Sequence, residues 1–174
     1  MVTFLVFSQH PADGVPLLEL GRHATRFFDA TVESLLTPME SSAHPGRPAS
    51  ATVLRCEVIQ TPPPVGDVLV AFSSFGARSV FAITKRATTT EDVSRARDAE
   101  VRMHTAGLAG LAARCAWIFV VVPEAAAIEW MAWECSALVA SVSLGPVLSS
   151  DGATLVGVKS ARARAEALRL AATR

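Results

Sequence analysis

From Ala116 to Leu144 the chain runs AWIFVVVPEAAAIEWMAWECSALVASVSL, an apolar block that three acids interrupt, Glu124, Glu129 and Glu134. Trp117 to Val122 is an unbroken aromatic and β-branched run with no polar alternation, the pattern of a strand covered on both faces and therefore at the centre of a sheet. Pro123 and Glu124 then open a helix over 124–143, whose polar residues fall into two narrow rows, Glu129 with Ser136 and Ser143, and Glu134 with Ser141. Between those rows it is apolar on two sides. One side can cover the sheet, and the other needs a second cover from the same chain or from another molecule.

The block is long enough to be tested as a membrane span, since about 20 residues suffice. Glu129 and Glu134 argue against that reading, because an acid at mid-span costs roughly 2.5–3.5 kcal/mol on insertion scales. A buried helix of a soluble protein is the expectation. Apolar residues make up 51% of the 174 and charged residues 18%, which opposes disorder over most of the chain and fits a single globular domain over 1–174. Formal charge is zero, so no overall field draws the chain to nucleic acid or to an anionic membrane. Three separated cysteines, Cys56, Cys115 and Cys135, in apolar surroundings read as buried free thiols of a reducing compartment. With an N-terminus that lacks a basic start, they point to a cytoplasmic protein.

The remaining elements follow from periodicity and punctuation. Thr3 to Phe7 reads as a buried strand, and apolar residues from Leu17 to Leu36 recur at helical spacing. Residues 38–50 hold three prolines, three serines and a glycine, the composition of a mobile loop. Three strands are expected over Ala51 to Gln60, Asp67 to Phe72 and Arg78 to Lys85. A capping-box pattern at Thr88 and Glu91 opens a second long helix reaching Cys115, in which His104 lies near the apolar row. Asp151-Gly152 between apolar runs signals a hairpin, and Lys159 to Arg174 an alanine-rich terminal helix. The order predicts an α+β fold, a mixed sheet with helices packed mainly on one face. A ferredoxin-like core with a C-terminal hairpin and helix satisfies it.

No motif names a chemistry. His10, His23, His44 and His104 never pair at helical ligand spacing, no phosphate-binding glycine pattern or GxSxG occurs, and no metal or cofactor is expected. Cys115 and Cys135 sit among residues that keep a thiol inert. Three functional expectations remain. The first is a non-catalytic cytosolic protein-interaction module, a homo-oligomer that self-associates through helix 124–143 by way of Trp130, Met131 and Trp133, residue types enriched in interface cores. The second is a small-molecule enzyme with a cleft near the 8–13 turn, where His10 serves as acid or base and Ser73, Ser74 and Arg78 supply polar contacts. The third is a nucleic-acid-associated factor using Lys159, Arg162, Arg164 and Arg169 of the terminal helix. The neutral chain and the lack of aromatics in that segment favour a solvated helix over a nucleic-acid surface.

Overall fold

The computed structural model of the chain describes residues 3–10, 14–35, 68–124 and 128–173. Seven strands form one sheet: β1 (Phe4–Ser8), β2 (Ala30–Leu35), β3 (Val68–Ser74), β4 (Ala77–Ala87), β5 (Trp117–Pro123), β6 (Val147–Leu148) and β7 (Leu155–Val156). Their order across the sheet is β2-β3-β4-β5-β1-β6-β7. Five helices accompany them: α1 (Leu17–His23), α2 (Thr90–Met103), α3 (Leu108–Ala112), α4 (Glu129–Ser143) and α5 (Val158–Ala172). The α+β class holds. All six described strand pairings are antiparallel, where mixed pairing was expected. The parallel relation survives one strand apart: β5 and β6 are both antiparallel to β1, which lies between them, so β5-α4-β6 is a split β-α-β unit.

Side-chain alternation along the strands separates two cores. Phe4 and Val6 of β1, Val70 and Phe72 of β3, Phe81 and Ile83 of β4, and Phe119 and Val121 of β5 face one way and meet α1, α4 and α5. Leu5, Phe7, Ile118, Leu148 and Leu155 face the other way and meet α2 and α3 through Ala96, Ala99, Ala109 and Ala112, small residues that let those helices lie close to the sheet. β5 is the fourth strand of seven, the central place its unbroken apolar run requires. α4 lies on β1 and β5, and α1 and α5 pack on α4 in turn. From Trp130 to Ala140 every residue of α4 is buried. The second apolar face of the block is thus covered within the chain itself.

Three local readings are corrected by the backbone. The helix expected to run to Leu36 stops at Phe28, after a π-helical turn over Ala24–Phe28 that Asp29 closes in the left-handed region at φ 49°. Asp tolerates that conformation, and the β-branched Thr31 and Val32 that follow enter β2. The helix expected to run to Cys115 breaks after Met103, with His104 at φ 53° and Gly107 at φ 94° separating α2 from α3. His104 is exposed there, not partly buried. The capping box lies one residue later than expected: Thr89 Oγ1 accepts from the Asp92 amide at 3.2 Å, and the Asp92 carboxylate accepts from the Thr89 amide at 2.9 Å. The Asp-Gly hairpin stands as read, with Val147↔Val156 and Leu148↔Leu155 paired around Gly152 at φ 65°. Helix 124–143 is described from Glu129 onward. The loop read at 38–50, the strand read at Ala51 to Gln60 and Cys56 lie outside the described residues.

Candidate binding cleft

Two residues, Phe75 and Gly76, join β3 to β4, flanked by the pair Ser74↔Ala77. Both have positive φ, 47° and 76°, the conformation of the tight hairpin turn that normally selects Asn-Gly or Asp-Gly. Phenylalanine in the first position is strained by about 1–2 kcal/mol, the cost of placing a Cβ in the left-handed region. Its ring is 56% exposed. It meets Trp130, in the first turn of α4, edge to face at 6.4 Å between centroids. From the other side the Arg169 guanidinium of α5 lies over it at 3.9 Å.

Between this turn and α5 lies an open cleft of about 590 Å³, within the range usual for small-molecule sites. Lys159, Arg162, Glu166 and Arg169 come from α5 and recur every three or four residues, so they line one side of that helix. Trp130 and Glu134, four residues apart on α4, lie opposite. Glu134 is only 6% exposed. Burial raises its carboxyl pKa above the ordinary value, against the opposing pull of the neighbouring Ser74 hydroxyl and of the Arg162 and Arg169 charges. Its Oε2 has no hydrogen-bond partner, nor has the Ser74 Oγ, which is also buried. Unpaired buried polar atoms are rare in folded proteins, because each forfeits its hydration without return.

The terminal-helix cations are placed by rings of the protein itself. Arg162 lies over Phe28 at 4.5 Å, Arg164 over Trp133 at 4.9 Å and Arg169 over Phe75 at 3.9 Å. These contacts hold α5 down on the body. Among the described residues none of the three arginines is in a salt bridge; the two ion pairs present are Arg78 with Glu33 and Arg86 with Asp92. Arg162 and Lys159 are exposed at the mouth of the cleft.

The residues singled out from the sequence are therefore partly united. Trp130, Ser74, Lys159, Arg162 and Arg169, drawn from three separate expectations, gather at or under one cleft. Met131 and Trp133 are core residues, 0% and 2% exposed: Met131 accepts a hydrogen bond from Ser79 of β4, and Trp133 packs edge to face on Phe4 at 4.7 Å. Ser73 and Arg78 project from the opposite sheet face, where Arg78 pairs with Glu33 at 3.1 Å. His10 follows β1 near the C-terminal end of α4, since Gln9 donates to the Leu144 carbonyl at 2.7 Å. Ten residues of helix separate Leu144 from Glu134, about 15 Å, so His10 does not join the cleft. Both described cysteines are buried, and burial pushes the thiols of Cys115 and Cys135 up, which keeps them protonated and inert.

Phe75 and Glu134 are the cleft residues that the sequence left without a role. Glu134 had a signal, an acid inside the longest apolar block. Phe75 had one too, a bulky residue where a two-residue hairpin turn calls for Asn or Asp. Among the described residues no helix is long and apolar enough to cross a membrane, and no group of three or more His, Cys, Asp or Glu side chains is placed to hold a metal ion. No protein-family model, curated protein or solved structure matches the chain.

Proposed function

We propose that the protein is a non-catalytic binding module that takes a small anionic molecule in the cleft between the β3–β4 turn and α5. This departs from the self-associating protein-interaction module expected from the sequence, in what is bound and in the surface that binds it. Met131 and Trp133 are interior residues and Trp130 lines the cleft, so in this reading α4 is not a self-association face.

The observation that carries the proposal is a set of three cations, Lys159, Arg162 and Arg169, lining one open cleft beside the buried carboxyl of Glu134, none of them in a salt bridge among the described residues. A folded protein retains such an arrangement at a cost in stability, which a bound molecule offsets. Lys159, Arg162 and Arg169 supply the field for an anion. Contacts with the Phe28 and Phe75 rings hold the Arg162 and Arg169 guanidiniums in place in advance, so less side-chain entropy is lost when they bind.

The test is thermal unfolding of the full chain in the presence of small carboxylates and phosphates, with succinate, citrate and inorganic phosphate as probes. A ligand at a hundred times its dissociation constant adds about 2.7 kcal/mol, which for a chain of this length raises Tm by roughly 5–10 °C. The rise is expected for at least one anion and is expected to disappear in the double variant Arg162→Gln, Arg169→Gln. A wild-type chain indifferent to every anion overturns the proposal.

A further inference from the structure

We infer that the molecule bound in this cleft is a small anion built on a planar aromatic ring, and that Phe75 selects for the ring. The inference rests on the cleft being a binding site, and it adds the chemical class of what is bound.

Two recognition elements on two parts of the fold lead to it. The first is Phe75. A hairpin turn with two positive φ values accepts asparagine, aspartate or glycine without strain, and this one instead carries a large ring at φ 47° that is 56% exposed. Strain of this kind persists where surrounding contacts enforce it, and it concentrates at ligand-contacting positions. Here the contacts are Trp130, edge to face with the ring, and Arg169, over it at 3.9 Å. Together they hold a planar aromatic and guanidinium surface at the lip of the cleft, a platform on which another planar group stacks.

The second element is the cationic side of α5. Lys159, Arg162 and Arg169 face Glu134 and Glu166, three cations against two acids, so the lining is left with a positive balance that an anionic group completes. A simple dicarboxylate or inorganic phosphate uses the cations alone. A neutral aromatic uses Phe75 alone. Only a molecule with both ring and anion uses both.

Two common sources share that chemistry, nucleoside monophosphates and aromatic carboxylates, and paired probes separate them. Isothermal titration of the full chain compares adenosine 5′-monophosphate with ribose 5-phosphate, and indole-3-acetate with acetate; each pair keeps the charged group and differs in the ring. The wild type is expected to bind the ring-bearing member of one pair at least tenfold more tightly than its ringless counterpart, and the pair that does so identifies the source. Phe75→Asn, a substitution the turn accommodates, is expected to erase the preference and to weaken the ringless member less than its ring-bearing counterpart, because Phe75 also holds Arg169 in place. The inference is overturned if neither pair shows a ring preference, or if Phe75→Asn retains one. In that event a ringless anion that still binds, and weakens on Arg162→Gln, leaves the cleft reading standing. If no anion binds at all, both fall together.

Discussion

Two buried acids in this molecule have opposite electrostatic fates, and the difference lies in their partners. Asp92 is held by Arg86 through two hydrogen bonds of 2.6 and 2.8 Å and by the amide and hydroxyl of Thr89 at 2.9 and 2.8 Å. The Arg86 guanidinium, with Thr89, keeps its carboxyl far below the usual carboxylate range despite burial. A depressed pKa means that the stability Asp92 contributes is present above its unfolded pKa and is lost as pH falls through the folded one. Asp92→Ala is therefore expected to cost about 3 kcal/mol at pH 7, with the deficit shrinking in strongly acidic solution; urea unfolding at pH 7 and pH 2.5 measures it, and an equal deficit at both removes the ion pair from the explanation. Glu134 has no such partner, and burial raises its pKa. The sign is reversed: the folded chain holds that proton more tightly than the unfolded chain, so stability is fullest below the unfolded pKa and falls as pH rises through the folded one. Glu134→Gln is expected to stabilise the unliganded chain by roughly 1–2 kcal/mol at pH 8, the scale of relieving a charged group of an unmet desolvation cost, and to change little at pH 4. A Gln variant less stable than wild type at pH 8 contradicts this account of the site.

At the scale of elements, the segment after α4 is fixed by contact between backbones. A Cβ on Gly145 falls 1.9 Å from the Phe7 carbonyl oxygen of β1 and 2.6 Å from its carbon, while Phe7 donates its amide to the Pro146 carbonyl at 3.0 Å. Neither atom is the free end of a side chain, so neither can yield cheaply. Gly145→Ala is expected to cost about 3 kcal/mol or more, the upper range for overpacking, and to loosen β6 and β7. Hydrogen exchange at Val147 and Leu155 checks the second effect, and unchanged protection there contradicts it. The same hairpin was legible beforehand because Asp151-Gly152 interrupts two apolar runs, and β5 because a strand buried on both faces leaves no polar alternation. β2 was not legible. Thr31, Leu35 and Leu36 fit helical spacing from Leu17 onward, and what separates β2 from α1 is a π-helical turn with Asp29 in the left-handed region, a backbone event without a periodic signature. The break at His104 escaped for the same reason: Val101, 74% exposed, kept the helical period while facing solvent. The cleft was legible only in pieces, since the β3–β4 turn lies more than fifty residues before the two helices that complete its lining, and nothing in local spacing says that this turn and the terminal helix meet.

At the scale of the whole molecule, the order of layers decides what the terminal helix is for. The sheet carries α4, and α4 carries α1 and α5. On the α1 side the join is polar: His23 Nδ1 lies 2.9 Å from Ser141 Oγ, and because that hydroxyl donates to the Leu138 carbonyl at 2.7 Å, the imidazole nitrogen is the donor. On the α5 side it is apolar, with Ala161 and Ala165 buried against α4 and Arg162, Arg164 and Arg169 laid over Phe28, Trp133 and Phe75. The cations that suggested a nucleic-acid tail thus work as fasteners of a covering helix, and two of them also line the cleft. Such a helix matters because a large side chain released from burial forfeits roughly 1.5–3 kcal/mol, and beneath α5 lie Trp130, Trp133 and their neighbours. A chain ending at Gly157 keeps every described strand and α1 to α4, but it bares the second face of α4. It is expected to bind a hydrophobic dye strongly, to associate in light scattering at concentrations where the full chain does not, and to melt at least 10 °C lower. If the shortened chain stays dye-negative and equally stable, α5 is not what covers that face, and the cleft, which α5 closes on one side, loses its structural basis with it.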